Sequence, residues 1–263
     1  MTLSATTTAA LSCTRTPNLD GAISSGQVSV VAYAATLTEA GPRLVADRRT
    51  APAESSDLET AVVQTVRGRV ADGSYVRFWD PEDVRVTVER TDGAVEVGIV
   101  DGSGRAAREA EPETLRLLPQ AVAWTVATAT GDPDLPVRLD LDPTTAEVLG
   151  DAAPEAAYTA TRSPDLLAAV TVESVGQGQT VDSPFTVSGL ATAFEGTVEW
   201  ELRQSGRIVD SGFATAEECC TPSPYTFEVD APPGDYDLRV AETDPSGGEG
   251  LPAYADRKAI VVR

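Results

Sequence analysis

Thr197-Val198-Glu199-Trp200-Glu201-Leu202, Tyr225-Thr226-Phe227-Glu228-Val229 and Tyr236-Asp237-Leu238-Arg239-Val240 alternate apolar and polar residues. Side chains on a strand point to opposite faces in turn, so each run offers one face to a core and the other to water. Around them lie Val170–Val175, Phe185–Leu190, Arg207–Ala214 and Lys258–Val262, separated by turn signals. About seven short β-prone runs at this spacing predict an all-β, two-sheet sandwich of immunoglobulin type over residues 166–263. Trp200, in mid-run, is expected to anchor the core. Gly234-Asp235-Tyr236 has the form of a tyrosine corner, whose phenol bonds back to main chain. An architecture of this kind leaves the ligand open.

Working back along the chain, residues 151–165 hold Ala, Pro, Thr and Ser with little pattern and read as a linker stiffened by Pro154 and Pro164. The fragment from Leu166 onward is accordingly expected to fold by itself. Residues 26–150 mix two periodicities. Val28–Ala34 and Leu44–Arg48 are strand-like, and Ser56 with Glu59 has capping-box spacing ahead of Leu58, Val62 and Val66. Tyr75–Trp79 reads as extended. Val84–Glu89 and Ala94–Val100 form a hairpin through Thr91-Asp92-Gly93. Pro119 opens a second helix that Gly131-Asp132-Pro133 stops, and Val137–Leu141 is a last strand. These elements predict an α+β domain, a small sheet with helices on one face. Residues 1–25, rich in Thr, Ser and Ala, read as a flexible leader or tether.

The formal charge of −21 repels phosphate backbones and anionic lipid heads, so no nucleic-acid partner is expected. No apolar run approaches the roughly 18 residues of a membrane span, so no transmembrane segment is expected. The chain has no histidine, which removes Ser-His-Asp and Cys-His catalysis and histidine-based zinc sites. Its single lysine, Lys258, near the C-terminus, argues against a Schiff-base or phosphate-loop lysine. Carboxylate chemistry and oxygen-ligated metal are what remain.

Asp132, Asp134, Asp140 and Asp142 form the densest acidic cluster, but Pro133, Pro136 and Pro143 interrupt it. Calcium needs six to eight oxygens from a loop that folds back on itself. A solvated acidic edge is therefore expected, with no metal site, no cofactor and no catalytic residue set. Phe78-Trp79, ahead of the Asp80-Pro81-Glu82-Asp83 turn, is the candidate for exposed recognition, set against a buried Trp79. Cys219 and Cys220 are adjacent in an inter-strand loop and are either free thiols or a vicinal disulfide; in an oxidising compartment the disulfide is expected. Cys13 follows Ala9-Ala10-Leu11-Ser12, which has the small-apolar character of a lipidation box without a basic region before it. Either the true start lies upstream and Cys13 carries a lipid anchor, or Cys13 is incidental.

The order of features in the first half resembles the GerM domain of bacterial sporulation and germination proteins. The resemblance runs through Val28-Ser29-Val30-Val31-Ala32-Tyr33, Leu44-Val45-Ala46-Asp47-Arg48-Arg49, Leu58-Glu59-Thr60-Ala61, the Val84–Val100 hairpin, Gln120-Ala121-Val122-Ala123-Trp124-Thr125-Val126 and Val137-Arg138-Leu139-Asp140-Leu141. The second half resembles the immunoglobulin-like domain that follows GerM in bacterial surface proteins. It does so through Ser183-Pro184-Phe185-Thr186-Val187-Ser188-Gly189-Leu190-Ala191, Phe194-Glu195-Gly196-Thr197-Val198 and Gly234-Asp235-Tyr236. Together these resemblances imply an extracytoplasmic protein, secreted or lipid-anchored, with an envelope role in actinobacterial relatives. They imply a non-enzymatic module whose partner is an envelope protein or the cell-wall glycan. The competing expectation is a carboxylate-dependent enzyme acting on carbohydrate or peptidoglycan, which would need a deep cleft holding two close carboxyl groups.

Overall fold

A computed structural model of the chain describes residues 26–78, 84–103, 111–150, 157–243 and 253–263. Its first domain opens with a long hairpin, β1 (Gln27–Thr38) and β2 (Gly41–Pro52), in unbroken antiparallel register from Gln27↔Pro52 to Thr38↔Gly41. Gly41 takes a positive φ of 98° where the chain reverses, a conformation glycine adopts at no steric cost. β3 (Tyr75–Val76) adds to the other side of β1, giving the order β2-β1-β3.

Helix α1 (Asp57–Arg67) starts where the capping residues place it. The Ser56 Oγ accepts from the Glu59 N–H at 3.1 Å, and the Glu59 carboxylate accepts from the N–H of Ser55, one residue earlier than the usual box. A second sheet, β4-β5-β6, comprises β4 (Val84–Arg90), β5 (Val95–Asp101) and β6 (Val137–Leu141). Its hairpin is antiparallel and β6 joins β5 in parallel, as a helical crossover requires. That crossover holds the short α2 (Pro112–Leu115) and α3 (Leu118–Thr130), which Gly131 ends in the left-handed conformation. α4 (Pro143–Leu149) follows, with Asp142 as its cap.

The first domain is α+β, as expected, with its strands divided between two three-stranded sheets. Period-two patterning says which face of a strand is buried, but not which strand lies beside it. The α1 and α3 helices pack on β1 through a core that includes Tyr33, Val62, Val66, Trp124 and Leu118. Inside it the Thr65 and Thr125 hydroxyls meet at 2.6 Å, and both accept from the Tyr33 N–H.

The second domain holds β7 (Val170–Val172), β8 (Gln179–Val181), β9 (Phe185–Ala191), β10 (Thr197–Gln204), β11 (Arg207–Thr215), β12 (Ser223–Val229), β13 (Gly234–Glu242) and β14 (Ala255–Val262). They form a five-stranded sheet, β11-β10-β13-β14-β8, facing a three-stranded sheet, β12-β9-β7. Trp200 is buried and stacks on Phe227 across the sandwich, ring centres 5.0 Å apart. The Tyr236 hydroxyl donates to the Pro232 carbonyl at 2.9 Å, closing the tyrosine corner. β8, three residues paired in parallel with the end of β14, is too short to show a period in sequence.

Between the domains, residues 157–168 lie against the first one. Tyr158 exchanges both main-chain bonds with Val137, at 2.8 and 2.7 Å, and Leu167 bridges to Leu44. Both side chains belong to the first core.

Candidate binding surface

Phe78 is 2% exposed and packs in the first core with Val84 and Val97 as fellow members, so it cannot serve as exposed recognition. The reason lies just upstream: β3 pairs with β1, Val76 packs against the first core, and Phe78, two residues on, falls on the same side. Trp79, and with it the Asp80–Asp83 turn, lies outside the described residues, as does Cys13. Within the acidic cluster, Asp142 is already committed. Its carboxylate accepts from the Thr144, Thr145 and Asp101 N–H groups, and these bonds together with that of the Thr145 hydroxyl outweigh burial and hold it below the usual carboxyl range. Among the described residues, no three acidic or sulfur side chains converge as a metal site would require.

A polar network that the sequence reading did not place lies at the domain junction. Asp256 and Lys258, both from β14, are buried. The Asp256 carboxylate accepts from the Tyr75 hydroxyl at 2.6 Å, from Lys258 Nζ at 2.9 Å and from the Val172 N–H at 2.7 Å. Lys258 Nζ also contacts the Tyr75 hydroxyl and sits 4.5 Å from that ring's centre. Burial, then the Asp256 charge, lifts the Tyr75 phenol well above its ordinary value. Nearby, the Tyr33 hydroxyl donates to Glu173 at 2.6 Å, Arg48 Nε donates to the Glu173 carbonyl, and the Ala46 N–H donates to Thr171 Oγ1 at 2.9 Å. Burial raises Glu173 above the ordinary carboxyl range, against the Tyr33 bond and the Arg48 charge. Leu44 extends the seam by exchanging main-chain bonds with Leu166 and Ala168, each 2.8 Å. Every one of these groups spans the two domains or abuts one that does. The network is a docking device with its polar atoms used up on each other. The single available sequence signal was a lone lysine in a strand.

The opposite edge of the sandwich has the reverse character. β11 is the terminal strand of its sheet, and its register with β10 inverts the usual pattern. Gly212 lies opposite Trp200 and Ala214 opposite Val198, so two positions on the core side hold small residues, while Asp210, opposite Leu202, is exposed. A Cβ on Gly212 would stand 2.9 Å from the Trp200 ring, which already fills that slot. The large residues face out. Phe213 is 69% exposed, on the side of the sheet shared with Glu199, and Ile208 and Val209 are each about half exposed. A β-bulge between Leu202 and Arg203 displaces the register there.

Phe194, 53% exposed, extends this strip. Its turn, with Glu195 and Gly196 both at positive φ, is tied to the end of β11 by the Ala216 N–H donating to the Gly196 carbonyl at 2.7 Å. The loop after β11 carries Cys219 and Cys220 joined as a vicinal disulfide. Buried Ser223 braces it, its hydroxyl accepting from the Glu218 N–H at 3.0 Å and donating to the Glu218 carbonyl at 2.7 Å. Consecutive apolar residues at Ile208-Val209, which break the alternation, were the trace of this surface in the sequence.

Residues 169–249 match the family model for the immunoglobulin-like domain of bacterial spore germination. That span is the sandwich just described, less its last strand. No curated protein matches the sequence. Among solved structures, the tandem GerMN domains of the sporulation protein GerM from Bacillus subtilis are 14% identical, with 77% of this chain and 61% of that one aligned at a TM-score of 0.39. An engineered protein aligns over 45% of this chain and 26% of its own, at 16% identity and a TM-score of 0.27. A lytic polysaccharide monooxygenase from Jonesia denitrificans aligns over 55% of this chain and 94% of its own, at 13% identity and 0.25. At such scores these three structures carry no argument about this chain, and the GerM-like character of the first half stands as the resemblance described above.

Proposed function

We propose that this is a non-enzymatic binding protein of the bacterial cell envelope, acting outside the cytoplasm in a sporulation- or germination-related setting, with an envelope protein as its partner. The observation that carries the reading is the inverted edge strand β11, which exposes Phe213, Ile208 and Val209 on a domain of the germination-type family. Monomeric proteins seldom leave such residues clustered on a strand edge unless something covers them. The Cys219–Cys220 disulfide supports a compartment outside the cytoplasm, where such bonds persist. Lipid attachment at Cys13 would hold the protein at the surface. The test is crosslinking followed by affinity capture from intact cells. Recovery of one envelope component in stoichiometric yield is expected; recovery of the chain alone, or its residence in the cytoplasmic fraction, would overturn the reading.

A further inference from the structure

We infer that β11 is an acceptor edge for an extended segment of a protein partner, apolar at alternate positions and flanked by lysine or arginine, which joins the five-stranded sheet as a sixth strand. The inference rests on the binding reading above and names the chemistry of the partner. Three observations carry it.

The first is geometric. β11 ends the sheet, and among the described residues no strand lies on its far side; the Ser211 N–H is held by the Asp210 carboxylate at 2.8 Å, and the other outward main-chain groups of the strand have no strand to pair with. Strand addition uses such groups for affinity and side-chain pockets for specificity.

The second is the inverted pattern. Phe213 and Ile208 lie on the outward face of the sheet, Phe213 beside Glu199 and Ile208 beside Arg203. A strand laid alongside would place its own alternate residues on that face, in cross-strand contact with them.

The third is charge. Glu195, Asp210, Glu217 and Glu218 are exposed around the strip, and Glu199 is partly so. Against them stand Arg207 and the pair Arg203 and Arg239, which share Glu201 at 2.7 and 3.9 Å, so carboxylates still outnumber cations there. This rim complements a cationic segment. A second copy of the chain would bring the same carboxylates, together with a net charge of −21, against themselves.

A random library of peptides about ten residues long, displayed on phage and panned against the full chain, tests this. Enriched sequences should alternate apolar residues and carry terminal Lys or Arg. Their affinity, measured with synthetic peptides, should fall about tenfold or more between 50 and 500 mM NaCl, as screening removes the rim's attraction. Phe213→Lys, at a position where the side chain is largely in solvent, should weaken them about tenfold or more while leaving the melt intact. Asp210→Lys with Glu217→Lys should flatten the salt dependence. Val261→Lys, on the outward face of β14, should do nothing. Failure to enrich, enrichment of acidic sequences, or binding indifferent to Phe213→Lys would overturn the inference. So would a dimer in sedimentation equilibrium that Phe213→Lys dissolves and salt strengthens, since a second copy would then be the occupant. If the Phe213→Lys chain still captures the envelope partner from cells, the binding reading survives and the edge inference does not; if peptides bind β11 but cells yield no partner, the reverse holds.

Discussion

One sandwich carries two edges built on opposite terms. Where β7 and β14 meet the first domain, charged and hydroxyl groups are buried or half-buried and each has its partner in Tyr33, Tyr75, Asp256 or Glu173. At β11, apolar side chains stand in solvent while the core behind them is filled by Trp200. Buried polar pairs add little net stability over apolar ones, but they punish any misfit, so they fix one docking geometry. Exposed apolar groups gain nothing until they are covered. The junction is finished within the chain, and the edge is not.

The largest effect is expected at Asp256. Asp256→Ala would leave the Lys258 ammonium buried without its counter-charge, and the Tyr75 hydroxyl and Val172 N–H without an acceptor. A loss of about 3–5 kcal/mol in denaturant unfolding is expected. The paired change Asp256→Leu with Lys258→Met should recover most of it, because both charges leave together. If the single change costs under about 1 kcal/mol, the junction is not the closed network described. The isolated 166–263 fragment sharpens the same point. Its core is complete without the first domain, so a cooperative melt is expected.

At the other edge, Gly212→Ala tests whether Trp200 really occupies the inward slot of β11. The new methyl would meet a rigid ring hemmed in by Phe227, not the end of a flexible chain. A cost of about 1–3 kcal/mol should appear as a lower denaturation midpoint, as overpacking does in tight cores. A neutral result would mean that β11 can shift outward, and that its exposed face is not fixed.

The two edges also differ in how far the sequence announced them. Alternation placed Trp200, Leu202, Tyr225, Leu238 and Val240 inward correctly, because a sandwich strand has one wet and one dry face. The capping residues Ser56 and Asp142 act locally, and the first was readable for that reason. Asp256 and Lys258 were opaque: they sit two apart on one face of β14, where a solvent-facing pair would look identical. Their burial depends on β3, about 180 residues earlier in the chain, and no local pattern encodes that meeting. Phe78 failed as an exposed aromatic for the same cause, since its side is set by pairing between β1 and β3. In β11 the inversion was hidden because Gly212 and Ala214 read as weak strand formers; only Trp200 on the neighbouring strand explains them.

A smaller effect is expected where the edge surface meets the disulfide. Neighbouring cysteines close an eight-membered ring that restricts one turn, whereas ordinary bridges gain their roughly 2–4 kcal/mol by closing long loops. Replacing Cys219 and Cys220 by serine should therefore cost less than about 2 kcal/mol, with Ser223 still bracing the turn. Alkylation and mass spectrometry without reductant should find neither thiol free in protein taken from the cell surface. Two alkylated thiols there would remove the disulfide from the candidate surface.

The smallest effect belongs to Glu173, and its sign separates burial from pairing at the junction. Burial holds the folded-state carboxyl above its ordinary range, with Tyr33 and Arg48 pulling the other way. Below the ordinary carboxyl value both folded and unfolded chains are protonated, and the stabilising contribution is fully present. As pH rises from there through the raised folded value, the unfolded chain sheds its proton first, and that contribution is lost. Glu173→Gln keeps an oxygen for the Tyr33 hydroxyl and never ionises, so it should be slightly more stable than the native chain at pH 7. The two should converge as pH falls to about 4, near the ordinary glutamate value. Denaturant midpoints at both pH values measure this directly. A glutamine variant less stable at pH 7 would mean that Arg48 and Tyr33 outweigh burial, and that the junction draws net stability from this charge as well as geometry.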